Sequence, residues 1–316
     1  MGRGIIAVLL VLSALCHAQP AEYPNRPVRI LVGFTPGGGP DITARHLAQK
    51  LSESWGQQVI VENRPGAGGT LAAGMVARAA PDAYTLLSVS SAHAAAAAIY
   101  PKLSYDTLRD LAGITQTGAS KYVLVSSQYK NLKELLAAAK SRPGQLNFSS
   151  AGVGSGTHFA AEIFKAKAAI DVVHVPFKGI PEALSEALTG RVQFFMAPIA
   201  NSVGHVREGR LAGLGVSSLK RDPLLPEVPT VDEAGVAGYE SELWFGMLTS
   251  SGVPRAVVAR LNRELTRILS DPDTHSRWSP IGIEPRPMTP EEFDRLLRNE
   301  IALFTQTARA AQIRAE

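Results

Sequence analysis

Beyond residue 20 the chain alternates short continuous apolar runs with longer segments whose apolar residues recur every three or four positions. The run 28–34 (VRILVGF) is a strand candidate, followed by a Gly/Pro turn and a helix over 40–52. Further strand candidates are 58–61, 84–88, 122–125, 146–149, 172–175, 192–196 and 211–216, with helix candidates between most of them. Apolar strands interleaved with amphipathic helices predict an α/β architecture whose parallel sheets are covered on both faces.

Two helix starts carry their own punctuation. Asn131 and Thr289 are each followed three residues later by Glu, at 134 and 292, and Pro290 suits a first helical position. The helix after Thr289 repeats Phe293, Leu296, Leu297, Ile301 and Phe304 on one face. The segment before it repeats Val257, Val258, Leu261, Leu265, Ile268 and Leu269. Both stripes predict core packing rather than chemistry. The Gly/Pro/polar stretches 63–70 and 221–229 predict surface loops, and no solenoid-type repeat is present.

The first twenty residues follow a different pattern. Arg3 precedes an apolar run over 5–15, and Cys16-His17-Ala18 ends in the small residue a signal peptidase reads. This predicts a secretory signal peptide over 1–18, cleaved after Ala18, and hence a periplasmic protein. A lipoprotein modified at Cys16 is the alternative, weakened by the bulky Leu15 before it. Cleavage removes the one cysteine and Arg3, taking 32 basic residues to 31 against 28 acidic ones, so the net charge falls from +4 to +3. Thiolate and disulfide chemistry are then excluded, and the mild positive balance suits small anions. No basic cluster with interleaved aromatics argues for nucleic acid, and no second apolar stretch is long enough to span a bilayer.

Candidate chemistry lies in loops. Phe34-Thr35-Pro36-Gly37-Gly38-Gly39-Pro40-Asp41 follows a strand and opens a helix. Its glycines can turn backbone N–H groups inward, and the helix start adds unpaired donors with partial positive charge. Such a place binds an anion without Lys or Arg; its bland reading is a tight turn with Asp41 in the first helical turn. A second loop of this kind spans 149–158, with Gly154, Ser155, Thr157 and His158 as the candidates. A third, Ser90 and Ser91 at a strand end, supplies hydroxyls to the same place or merely caps a helix. Open α/β sheets bind ligands at the carboxyl ends of their strands, where all three loops fall.

Enzyme and cofactor signatures are missing. The P-loop ending and the dinucleotide spacing are absent, no Gly-x-Ser-x-Gly elbow occurs, and no histidine pair has helical zinc spacing. No cofactor and no metal are expected. His158 beside Ser155 and Thr157 could be drawn as a base beside a nucleophile, but a histidine in a first helical turn more often packs or caps.

At these residues the chain resembles the substrate-binding proteins of tripartite tricarboxylate transporters, the Bug or TctC family. The resemblance runs from Tyr23-Pro24-Asn25-Arg26-Pro27 through Phe34-x-Pro36-Gly37-Gly38-x-x-Asp41 and Val61-Glu62-Asn63-Arg64-Pro65-Gly66. It continues through Pro81-Asp82-x-Tyr84-Thr85, Gly152-x-Gly154-Ser155-x-x-His158 and His174-Val175-Pro176-Phe177-Lys178-Gly179 to Leu225-Pro226-Glu227-Val228-Pro229-Thr230. It implies a two-lobed periplasmic-binding-protein-like fold of type II, a Venus flytrap, with lobe 1 over 22–118 plus 241–316 and lobe 2 over 119–240. Trp244-Phe245-Gly246 would lie at the returning hinge. It also implies a monomer that captures a small carboxylate, such as a di- or tricarboxylate or an aromatic acid, and delivers it to membrane subunits of the transporter. A carboxylate sensor acting on a membrane receptor is the alternative, with a hydrolase or isomerase behind it.

Three departures stand out: Ala83 where the family usually has Gly, Phe177 where Tyr is common, and Ala197 where many relatives carry Asp. Ala197 and the adjoining Pro198 join the expected ligand residues, and loss of the acid there predicts preference for a plain carboxylate over an amino acid.

Overall fold

The computed structural model describes residues 23–310 and 312–313. The signal segment, with Cys16 and Ala18, lies outside the described residues.

In chain order the elements are β1 (Val28–Val32), α1 (Gly39–Trp55), β2 (Val59–Asn63), α2 (Thr70–Ala77), β3 (Thr85–Ser90), α3 (Ala92–Ile99) and β4 (Leu111–Ser126). Next come α4 (Leu132–Ser141), β5 (Asn147–Ser150), α5 (Gly156–Ala168), β6 (Val173–Pro176), α6 (Ile180–Leu188), β7 (Phe194–Pro198), α7 (Ile199–Arg207) and β8 (Ala212–Val216). The chain ends with β9 (Glu242–Ser250), α8 (Arg255–Leu269), α9 (Pro272–Trp278), β10 (Ile283–Pro285) and α10 (Pro290–Ala310).

The strands order as β2-β1-β3-β9-β4-β7-β5-β6, with β8 and β10 also on β4. Pairing is parallel at β2-β1-β3 and at β7-β5-β6, which are the expected βα crossovers. It is antiparallel wherever β4 or β9 takes part. The 16-residue β4 is the strand common to both halves. From Leu111 to Lys121 it pairs with β9, and from Tyr122 onward with β7 and β8. One continuous strand therefore joins two α/β halves, and the fold is two-lobed.

Every sequence-predicted strand is found, shifted by one or two residues, except that 122–125 is only the end of β4. Its first part, LAGITQTGASK, mixes Gly, Thr and Ser and lacks a continuous apolar run, yet its side chains are nearly all buried. Strands β9 and β10 were not anticipated as strands.

Both helix caps form, and at Thr289 the reciprocal capping box is complete. Asn131 Oδ1 accepts from Glu134 N at 3.0 Å, and Glu134 Oε2 accepts from Lys130 N at 3.0 Å. Glu292 Oε2 accepts from Thr289 N at 2.9 Å while Thr289 Oγ1 accepts from Glu292 N at 3.3 Å. The stripe of α10 packs Phe293, Leu297 and Phe304 inward, and that of α8 packs Val258, Leu261, Leu265, Ile268 and Leu269. The 221–229 stretch is a loop as expected, but Leu225 and Val228 pin it into the core around β7.

Candidate functional site

The loop between β1 and α1 is held by Asp41. Its Oδ2 accepts from Gly37 N at 3.0 Å and its Oδ1 from Asn63 Nδ2 at 2.9 Å, with Arg45 Nε against both oxygens. Asn63 Nδ2 also donates to Phe34 O. Burial opposes ionisation of Asp41, yet Arg45, the Gly37 amide and Asn63 together hold its carboxyl below the ordinary range. Asp41 is thus a brace that shapes the loop, with both oxygens occupied, and Gly37 at φ +90° takes a backbone conformation other residues avoid. No side chain caps the first turn of α1 at Gly38.

The loop between β5 and α5 is braced similarly. Ser155 Oγ accepts from His158 N, and Thr157 Oγ1 accepts from Ala151 N at 2.9 Å. His158 is buried behind the loop, its Nδ1 accepting from Gly154 N at 3.2 Å. A methyl on Gly156 would overlap Tyr122 Oη and crowd Ser91 Oγ. Those two hydroxyls are buried without a hydrogen-bond partner, as is Thr35 Oγ1.

Between the loops lies a narrow pocket lined by Phe34, Thr35, Gly38, Gly39, Pro40, Ser90, Ala151, Ser155, Gly156, Thr157, Ile180, Pro198, Leu243 and Phe245. Five helix starts border it: Gly38–Gly39 of α1, Ser90 beside the N-cap of α3, Ser155–Thr157 of α5, Ile180 of α6 and Pro198 of α7. No charged side chain lines it. Helix starts carry positive partial charge, and those of α1 and α5 leave backbone N–H groups for an anion, whereas at α3 Ser91 N and Ala92 N already donate to Trp244 O and Ser90 Oγ. Its remaining wall is apolar: Phe34, Pro40, Ile180, Leu243 and Phe245. A larger neighbouring pocket of about 440 Å³ shares Phe34, Thr35 and Ala151 and adds Gly66, Gly68, Tyr100, Phe177 and Lys178.

The two sides touch across the pocket. Asn201 Nδ2 of α7 donates to Gly37 O at 2.9 Å, Gly38 lies near Ile180, and Thr35 Oγ1 packs against Gly179 so closely that a side chain there could not fit.

Of the residues expected at the site, Phe34, Thr35, Gly38, Gly39, Ser90, Ser155, Thr157 and Pro198 line this pocket. Pro36, Gly37, Asp41, Ser91, Gly154, His158 and Ala197 do not. Asp41 and His158 stand behind the loops, and Ala197 is fully buried in β7 within an apolar cluster. Sequence reasoning missed Pro40, Ala151, Gly156, Ile180, Leu243 and Phe245 as lining residues. Pro40, Ala151 and Gly156 lay inside the two Gly-rich loops already singled out and Phe245 in the Trp244-Phe245-Gly246 hinge segment, whereas Ile180 and Leu243 carried no signal.

Among the described residues no group of His, Cys, Asp and Glu could hold a metal ion, and no helix is long and apolar enough to cross a membrane. Residues 43–310 match the model of the tripartite tricarboxylate transporter family receptor, TctC. The chain belongs to the TctC family. It is 36% identical over 299 residues to the UPF0065 protein in the tcbD-tcbE intergenic region of Pseudomonas sp. strain P51, covering 93% of this chain and 89% of that one. The structure of R. palustris Rpa4515 with adipate superposes with a TM-score of 0.88 at 31% identity, over 93% of this chain and 99% of that chain. The periplasmic binding protein BugD gives 0.87 at 29% identity, over 93% and 100%. TctC proteins are periplasmic solute-binding receptors, not enzymes, and this TctC protein shares their fold.

Proposed function

We propose that this TctC protein captures a small carboxylate with an apolar body between its lobes and delivers it to the membrane subunits of a tripartite transporter. One observation carries the reading: five helix starts converge on a pocket without a charged side chain, walled elsewhere by Phe34, Ile180, Leu243 and Phe245. The carboxylate would sit against Gly38, Gly39, Ser155, Gly156 and Thr157, with Thr35, Ser90 and Pro198 beside it. Asp41 and His158 would shape the loops rather than touch ligand. That Rpa4515 is described with adipate supports an acid of this class. With no acidic lining residue to pair an ammonium group, the pocket favours a plain acid over an amino acid. The preference rests on the whole lining, since Ala197 lies in the core.

The lobes would divide as 22–118 plus 241–316 and 119–240, a division supported by the change of partners on β4 at Lys121 and Tyr122. The protein would act as a periplasmic monomer after cleavage at Ala18. The experiment is a thermal-shift and calorimetric panel on the mature protein with adipate, succinate, malate, citrate, benzoate, aspartate and glutamate. A ligand at 100 times its dissociation constant adds about 2.7 kcal/mol of stability. Response to plain acids alone is the expected result. Tighter binding of aspartate or glutamate would overturn the preference, and silence across the panel would overturn carboxylate capture itself.

A further inference from the structure

The loop over 150–155 contains two glycines in left-handed backbone conformations, Gly152 at φ +111° and Gly154 at φ +78°. Each is tied to a different imidazole. Gly154 N donates to His158 Nδ1 at 3.2 Å. Gly152 N donates to Ser150 Oγ at 3.1 Å, and that hydroxyl lies 2.6 Å from His174 Nε2. The two rings stack on one another, with centroids 3.9 Å apart and planes 12° from parallel. Phe148 covers His174 from β5, with centroids 4.9 Å apart at 22°.

We infer that His158 and His174 are paired positioning residues, a stacked imidazole clamp that sets the backbone of the 150–155 loop from behind the pocket. The inference rests on the reading of that loop as part of the ligand site. Neither ring lines the pocket.

The chemistry requires a defined tautomer. His158 Nδ1 accepts a backbone proton, so in the neutral ring the hydrogen sits on Nε2, which faces Glu162 Oε1 at 3.7 Å. Burial, with His158 and Lys165 nearby, pushes His174 down to about 3 even though Glu162 opposes this. Lys165 meanwhile is bound to Glu162 at 2.9 Å and lies over the Phe148 ring.

His158→Phe keeps a stacking ring and removes the acceptor, whereas His158→Asn places an amide oxygen where Nδ1 accepts. Amide hydrogen exchange of the ligand-free protein near pH 7 should accelerate about tenfold at residues 152–155 in His158→Phe, the scale of one lost hydrogen bond. His158→Asn should recover most of that protection, and nitrogen NMR of the wild type should find the His158 proton on Nε2. With adipate as probe, His158→Phe should bind more weakly, chiefly through faster dissociation. Unchanged loop exchange in His158→Phe, no recovery in His158→Asn, or a proton on Nδ1 would overturn the clamp. If the wild type ignores adipate, the function reading loses support while the exchange and tautomer results still decide this one.

Discussion

At the scale of single residues, polar groups at this site do two different jobs. Thr35, Ser90, Ser155 and Thr157 border the pocket, while Asp41, Asn63 and His158 spend their hydrogen bonds on the loops that form it. Composition alone does not separate the two, because an Asp or His beside a Gly-rich loop reads equally as ligand contact or brace. His93, in the first turn of α3, behaves differently again: its Nε2 is buried without a partner. Burial pushes its imidazole from 6.5 down to about 4. The unfolded chain therefore takes up a proton near pH 6.5 that the folded chain refuses until about pH 4. Stability present above pH 6.5 is lost as pH falls through that window, at about 1.4 kcal/mol per pH unit for one group. Urea unfolding of His93→Phe at several pH values should show that slope reduced by about one proton between pH 6 and 4.5. An unchanged slope would mean that His93 does not stay neutral in the folded state.

At the scale of elements, close approach rather than propensity sets the glycine positions that matter. A methyl on Gly39, at the start of α1, would overlap the buried ring of Phe245 on β9. Both residues line the pocket, so Gly39→Ala should push the ring inward and abolish acid binding in calorimetry. Gly204 in α7 has open space around its Cα, and Gly204→Ala should leave binding intact and stabilise by up to about 1 kcal/mol. The helix caps at Asn131 and Thr289, the stripes of α8 and α10 and the apolar parallel strands were all legible in the sequence, because each is a local pattern with a local cause. The first part of β4 was not. Its Gly-Ile-Thr-Gln-Thr-Gly stretch pairs with β9 and, near its end, with β10, and it is covered by α8 and α10, partners well over a hundred residues away in sequence. Intrinsic strand preference there is weak, and tertiary pairing supplies what the sequence pattern lacks.

At the scale of the whole molecule, the two lobes touch across the pocket at Gly38 near Ile180, at Thr35 against Gly179 and through the hydrogen bond from Asn201 Nδ2 to Gly37 O, while α5 also packs on α3 and α10. Ligand contacts with both sides would bias such a closure. Asn201→Ala should therefore raise the dissociation rate of a bound acid several-fold with little change in melting temperature of the free protein. Equal dissociation rates would show that this bond does not help hold the closed arrangement. The sequence by itself determined the α/β class, most strands and helices, the caps, and the two Gly-rich loops as places where backbone could meet an anion, since these follow from local periodicity and from glycine's freedom. Its family motifs pointed to the receptor class. Only the tertiary structure decided which residues reach the pocket. Ile180 comes from α6 and Leu243 and Phe245 from β9, and they share no sequence pattern with the loops they face. Ala197 and His158 sit beside lining residues in sequence yet turn into the core, because in a strand or a helix start adjacent side chains point in different directions.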